Sequence, residues 1–287
     1  MATISASDVK ALREKTGAGM MECKNALVET GGDFAKAEKL LKEKGLAAVE
    51  KRAGRATNEG KISVKIKAGH EGSLAALVEL VSETDFVARN PDFIALGNAI
   101  AEKVLEKGYT EPNDELNVMV SDLATKIREN MNLKRITVLT AAAGEHLESY
   151  IHGDGAIGVV VKAAADKPEI FQNEEAKEFV HTIALHIAAF NPIALDRSKV
   201  DQGYLKEQEE IFRKQMEQDE KMKGKPGNVI DNILKGKVNK YLSDICLLEQ
   251  GYVKDEKFTV TQALADIGKR LGAKLSIIDY VYFKVGG

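Results

Sequence analysis

Val78-Glu79-Leu80-Val81-Ser82-Glu83-Thr84-Asp85-Phe86-Val87-Ala88-Arg89-Asn90 passes from an apolar run to a polar corner and back to a large ring. Ala75 to Val81 is apolar except for Glu79, the pattern of a largely buried strand. Ser82-Glu83-Thr84-Asp85 then favours a turn or a helix N-cap. Phe86 follows where the chain is leaving the core. A ring beside an acidic group at a strand end is suited to insertion into a partner's pocket. The competing reading is that Phe86 and Val87 cover the edge of their own core, as most apolar residues do.

Composition narrows the function classes. The 287 residues suffice for two domains with proper cores. The chain is 44% hydrophobic and 30% charged, as ordinary globular proteins are. It has no Trp and few other aromatics, which argues against a stacking platform for single-stranded nucleic acid. A net charge of -3 argues against a general phosphate-backbone binder. Cys23 and Cys246 lie far apart, with no ligand-spaced cluster, which suits a reducing cytosol and supplies no metal site. No apolar run approaches the ~20 residues that span a bilayer. Met1-Ala2-Thr3-Ile4-Ser5 passes straight into a helix start, so neither a signal nor a transit peptide is expected and the location reads as cytoplasmic.

Along the chain, 1–48 reads as a small module of three helices. Ser5 and Asp8 form a capping-box pattern, Thr16-Gly17-Ala18-Gly19 ends the first helix, and Gly31-Gly32-Asp33 separates the second from the third. Met20, Cys23, Ala26 and Leu27 recur at helical spacing, and Gly45 is expected to end the third helix. So small a core suits recognition rather than catalysis. Met20 and Met21 could form an adaptable contact surface, though one of the two is expected to be core filler. Residues 49–60, with Lys51, Arg52 and Arg55, read as a polar linker.

From Lys61 the hydrophobic period becomes two. Ile62, Val64 and Ile66 mark a strand, His70-Glu71-Gly72 a turn, and the buried run a returning strand. Helices follow around Phe93–Val104, ending at Gly108, and over Leu116–Asn130. Ile136–Leu139, Leu147–His152 and Ile157–Val161 are strands, and Phe179, Ile183 and Ile187 lie on one helix face. Hairpin, buried strand, polar corner and helix thus occur twice. The expected class is α+β, with two related core subdomains, 61–140 and 141–190 with 243–287. Residues 191–242 read as an inserted antiparallel helical hairpin, entered after Asn191-Pro192 and turning at Gly224-Lys225-Pro226-Gly227. Its thin apolar stripe suggests contact with a partner or a second copy of the chain.

Every catalytic motif tested fails in context. Gly54, Gly60 and Lys61 are spaced one residue too long for a phosphate loop, and Ile62 stands where Ser or Thr is needed. Gly153, Gly155 and Gly158 have the dinucleotide spacing but lead into a β-branched run rather than a helix. His181 and His186 are five apart, on different helix faces. His152 stands at a strand end beside a glycine turn, where a solvent-exposed histidine is the ordinary expectation. No enzyme chemistry and no cofactor are therefore expected. Two classes stay open on the residues alone: a binding adaptor whose small helical module recognises another protein, and an RNA-associated protein using the 51–55 charges.

Two local signatures carry a family resemblance. Leu12-Arg13-Glu14-Lys15-Thr16-Gly17-Ala18-Gly19-Met20-Met21-Glu22-Cys23-Lys24-Asn25-Ala26-Leu27 resembles the N-terminal motif of bacterial elongation factor Ts, and Glu83-Thr84-Asp85-Phe86-Val87-Ala88-Arg89 resembles that family's second motif. The order of elements resembles the family over essentially the whole chain, with a UBA-like N-terminal module. The resemblance implies a guanine-nucleotide exchange factor for elongation factor Tu, met both GDP-bound and nucleotide-free, with no direct nucleic-acid or membrane contact. It implies that Met20 and Lys24 grip the partner's nucleotide-binding domain. Thr84, Asp85, Phe86 and Val87 would enter beside its magnesium site, with Phe86 as the wedge, and His152 would join them. Ile127 and Ile245 match further contact positions, and Arg128 stands where the family often has a small residue.

Overall fold

The computed structural model describes residues 4–69, 72–219, 222 and 225–287. The expectations that rest on Met1–Thr3, on His70-Glu71 and on Gly224 lie outside the described residues.

The first helices follow the caps that the sequence announces. Ser5 accepts from the Asp8 backbone at 3.1 Å and its own N–H donates to the Asp8 carboxylate at 3.0 Å, opening α1 (Ala6–Thr16). Gly17, at φ 69°, closes it in the left-handed region that glycine enters freely. α2 spans Met20–Glu29, and Asp33 caps α3 (Phe34–Arg52). Leu12, Cys23, Leu27 and Ala37 bury their shared face.

α3 does not end at Gly45 but runs on to Arg52. The glycine serves packing instead. A Cβ at position 45 would fall well inside contact distance of Thr125 Cγ2, so its absence lets α3 lie directly on α6 (Asp114–Ile127). The expected 49–60 linker is correspondingly short. Val49 packs on the neighbouring core, and the side chain of Asn130 donates to the carbonyls of Ala53 and Arg55 at 3.2 and 2.7 Å.

β1 (Glu59–Gly69), β2 (Gly72–Ser82) and β3 (Met131–Ala142) form an antiparallel sheet in that order. Between β2 and β3 come α4 (Asp85–Ala88), α5 (Pro91–Lys107) and α6. Helix α6 stops at Ile127 rather than Asn130, because Arg128 turns into the left-handed region at φ 69°. The unbroken apolar run of β2 now has a cause: both of its faces are covered. Ala76, Val78 and Leu80 face the helices, while Ala75 and Leu77 face a second sheet. Glu79 shares the parity of the second set and is fully buried. It accepts from Arg135 Nε at 2.6 Å and from the Gly286 backbone at 2.9 Å.

The second sheet repeats the plan, with β4 (His146–His152), β5 (Ile157–Ala165) and β8 (Leu275–Lys284) in antiparallel order. In both sheets the third strand slips its register against the central one, between Glu79 and Leu80 and between Lys162 and Ala163. Val159 and Val161 of β5 pack on α7 (Glu174–Phe190) and α10 (Val260–Leu271), while Val160 meets Leu77 across the two sheets. The structure is α+β, as expected.

α8 (Gln202–Gln218) and α9 (Gly227–Ile245) lie between α7 and α10. They share a cluster with Met216, Leu234, Val238 and Leu242 buried, and Arg213 pairs with Asp231 at 3.8 Å. The chain leaves and rejoins the body side by side, since the Ile193 backbone donates to Ile245 and that of Leu247 to Ala194, each at 2.9 Å. A two-stranded ribbon, β6 (Gly251–Tyr252) with β7 (Asp255–Thr259), follows; its first strand is too short to leave a periodic signal.

Candidate partner-docking corner

The corner after β2 is held from three sides. Glu129 takes both donors of Thr84, its backbone N–H at 3.1 Å and its hydroxyl at 2.9 Å. Ser82 donates to the Thr84 carbonyl at 3.0 Å. The Asn130 backbone donates to Glu83 at 2.6 Å, and Arg55 reaches both Glu83 oxygens at 3.3 Å. The Asn130 bond first, and the Arg55 pairing after it, hold the Glu83 carboxyl below its usual range despite some burial. Thr84 also caps α4, accepting from Val87 N at 3.3 Å.

On this clamped turn Val87 and Ala88 point inward and are buried, while the Phe86 ring is 82% exposed. Of the pair, Val87 covers its own core and Phe86 does not. Val87, a candidate contact, is buried on the inner side of the turn. Asp85 is half-buried beside Arg89, 3.4 Å away. A fully buried Phe contributes roughly 1.5–3 kcal/mol that an exposed ring forgoes.

His152 lies at the end of β4, exposed, with Nδ1 3.0 Å from the Tyr150 hydroxyl. Gly153, Asp154 and Gly155 follow with φ of 59°, 55° and 94°, three left-handed residues in succession. This turn is attached to the first sheet. The Ile62 backbone donates to the Gly155 carbonyl at 2.7 Å, and Lys61 Nζ lies 2.8 Å from an Asp154 carboxylate oxygen. Because Glu59 pairs with Ser82, the start of β1 lies beside the end of β2. The His152 turn and the Phe86 corner therefore occupy the same end of the two sheets. Gly155 and Gly158 have packing roles: a Cβ on Gly155 would press on the Lys61 stem at 3.1 Å, and one on Gly158 would run into Ile62.

On the N-terminal helices, Met20 is 43% and Met21 64% exposed, and Lys24 is exposed too. The expectation that one methionine fills the core is overturned, because the Thr16–Ala18 turn covers Cys23 instead. Its sulfur lies 3.9 Å from the Thr16 hydroxyl and 3.8 Å from the Ala18 carbonyl. Glu22, between Met20 and Lys24, accepts from the Gly19 backbone at 2.9 Å and pairs with Arg128. Ile127 is half-buried against the first core, whereas Ile245 is buried at the end of α9, so its side chain is a support rather than an open contact. The residues that fix the corner, Glu129, Asn130 and Arg55, and Lys61, which holds the His152 turn, were not singled out from the sequence as supports. Such roles follow from contacts distant along the chain.

Two kinds of comparison bear on this arrangement. The family model described as elongation factor TS matches residues 83–287, beginning at the Glu83 that opens the corner. The elongation factor Ts of Treponema denticola is 51% identical over 283 residues, covering 99% of this chain and 98% of that protein. Those of Treponema pallidum and Clostridium acetobutylicum are 45% and 40% identical, over 290 and 294 residues. They cover 99% of this chain and 99% and 92% of their own lengths.

The chain belongs to the elongation factor Ts family.

Membership makes it a factor of translation elongation. The elongation factor Ts resemblance carried by Leu12–Leu27 and Glu83–Arg89 is thereby borne out. In this member those motifs place Met20 and Lys24 on one exposed surface and Phe86 on another, with buried residues beneath each. Among the described residues, no helix is long and apolar enough to cross a membrane.

Proposed function

We propose that this chain is the guanine-nucleotide exchange factor of elongation factor Tu, and that Phe86 is the wedge that loosens bound GDP. The observation that carries the reading is the 82% exposed ring on a turn whose neighbours are buried and hydrogen-bonded. A ring on a mobile loop would lose ordering entropy on docking, whereas this one is pre-organised.

In this reading the N-terminal module, residues 1–48, grips the partner's nucleotide-binding domain through Met20 and Lys24. Across the 49–60 linker, the subdomain 61–140 presents Thr84, Asp85 and Phe86 toward the magnesium and phosphate site. The subdomain 141–190 with 243–287 brings His152 to the same region. Ile127, half-buried, flanks the module. The 191–242 segment is the helical hairpin, and exposed Ile211 and Val229 on its two helices are the apolar points for the partner or a second copy.

The physics is a coupling between two ligands of one protein. A factor that binds the nucleotide-free partner more tightly than the GDP form must, by reciprocity, weaken GDP binding by the same ratio. Displacing magnesium and the phosphate loop removes the charges that hold the diphosphate. The work is done by binding alone, without an acid, base, nucleophile or cofactor from this chain.

The test is release of a fluorescent GDP analogue from elongation factor Tu under excess unlabelled GDP. Acceleration by substoichiometric amounts of this protein is the expected result. No acceleration with a folded protein and its cognate partner would leave a binding adaptor.

A further inference from the structure

We propose that Lys61 is a positioning residue for nucleotide exchange: it fixes the His152 turn of the second sheet against the strand beside the Phe86 corner of the first. The inference rests on the exchange reading above and adds to it the part that aligns its two points of contact.

Lys61 is only 8% exposed, unusual for lysine, and lies near the start of the edge strand β1, opposite Leu80 of β2. Its ammonium reaches across to the other sheet. It donates to the Asp154 backbone carbonyl and pairs with the Asp154 carboxylate at 2.8 Å. The adjacent Ile62 N–H donates to the Gly155 carbonyl at 2.7 Å. Three bonds from two consecutive β1 residues thus end on two consecutive residues of one turn. That turn consists of left-handed residues and begins immediately after His152.

The layer between the sheets is largely apolar and includes Ile62, Ala75, Leu77, Val160 and Phe283. Apolar packing is non-directional and by itself fixes relative placement less sharply than directional hydrogen bonds do. Polar stitches supply such bonds. One is Glu79 and Arg135 against the backbone of Gly286 and Lys284, near the C-terminus. Another is Lys162 Nζ, 3.2 Å from the Thr140 carbonyl, and a third is Lys61, on the turn that follows His152. Phe86 and His152 stand on different sheets, so their relative placement depends on how the sheets are joined. The Asp154 carboxylate is itself exposed, so the pair alone is a weak source of stability. What it supplies is geometry.

The test uses the full chain with elongation factor Tu and the GDP analogue. In Lys61→Met the stem is kept and both Asp154 contacts are lost, while the Ile62 backbone bond to Gly155 stays. The maximal release rate is expected to fall about fivefold, with the half-saturating concentration changed less than about twofold. The same substitution added to His152→Ala is expected to cost less than about twofold more, because it acts through His152. Asp154→Asn keeps a residue that tolerates the left-handed conformation, and serves if Lys61→Met folds poorly. It is expected to show the smaller loss of one contact. Full multiplication of the Lys61 and His152 effects, or an unchanged rate in both variants, would overturn the proposal.

Hydrogen exchange of the free protein separates this claim from the exchange reading. The amides of Ile62 and Ala156, which donate to Gly155 and Gly153, are expected to exchange at least about tenfold faster in Lys61→Met, with Val87 and Ala88 unchanged. Unchanged exchange at the turn overturns the lock whatever the GDP assay gives. A loosened turn together with a wild-type protein that fails to release GDP overturns the exchange reading and the positioning role, leaving only a sheet-to-sheet contact.

Discussion

Glu129 receives both the backbone N–H and the hydroxyl of Thr84, at 3.1 and 2.9 Å, and so closes the corner on which Phe86 stands. The two residues lie 45 positions apart, one after β2 and one just before β3. The hydrogen bonds connect the exit of one strand to the entry of its neighbour, and the ring is presented from that joint.

Replacing Glu129 by Ala leaves the Thr84 N–H without this acceptor. The cost is about 1–3 kcal/mol, the range for an unsatisfied part-buried donor. Glu129→Gln keeps one acceptor oxygen and should lose less. Denaturant unfolding reads the stability, and the GDP assay should show slower release in step with the loosening of the corner. Unaltered stability in Glu129→Ala would show that the corner does not depend on this pair.

The joint between the N-terminal helices and the body depends on a missing side chain. Gly45→Leu forces α3 away from Thr125 and should cost about 1–3 kcal/mol by overpacking. Thr125→Ala in the same chain should return part of that loss, since it removes the Cγ2 that the new side chain meets. Chemical denaturation checks both. A Gly45→Leu variant as stable as the parent would mean that α3 and α6 do not pack this closely in solution.

His186 gives the fold a pH dependence whose sign follows from its surroundings. It is fully buried on α7 beside the Phe190 ring, and burial holds its pKa below the ordinary histidine value, against an opposing hydrogen bond with Gln250. Gln250 donates its amide to the Asp244 carbonyl at 2.7 Å, so its oxygen accepts from His186 Nε2 at 3.0 Å. Nδ1 then keeps a bare lone pair, which agrees with its having no partner. The unfolded chain takes up a proton near pH 6.5 that the folded chain refuses. Stability contributed by this site is therefore full above that pH and declines as pH falls below it. Thermal melts at pH 7.5 and 5.5 should show a drop that His186→Gln reduces. An identical drop in the variant would assign the pH dependence to other groups.

Much of this was legible in local pattern. The Ser5–Asp8 capping box, the glycine stops at Gly17 and Gly108, and the doubled run of hairpin, corner and helix depend on neighbours in sequence, and each stands in the fold where its residues put it. What was not legible depends on contact at a distance. Gly45 reads as a helix end until Thr125 is beside it. Met20 shares the spacing of Cys23, Ala26 and Leu27, yet a turn from the preceding helix takes the place it would fill. Val87 and Phe86 are adjacent and both apolar. Only the direction of α4, set by Glu129 and Asn130, decides which is anchor and which is exposed. Lys61 looked like the tail of a failed phosphate loop until Asp154 stood opposite it.

The claim that Phe86 acts on the nucleotide, rather than merely adding contact area, is tested most directly by a kinetic titration of Phe86→Ala against elongation factor Tu carrying the GDP analogue. The ring is 82% exposed, so its removal should leave folding stability within about 0.5 kcal/mol, as surface substitutions do. The account predicts that the maximal release rate falls about tenfold or more while the half-saturating concentration moves less than about threefold, the mark of an interaction made in the exchange step. An equal loss of rate and affinity would contradict it, and would make Phe86 an ordinary contact on a docking surface.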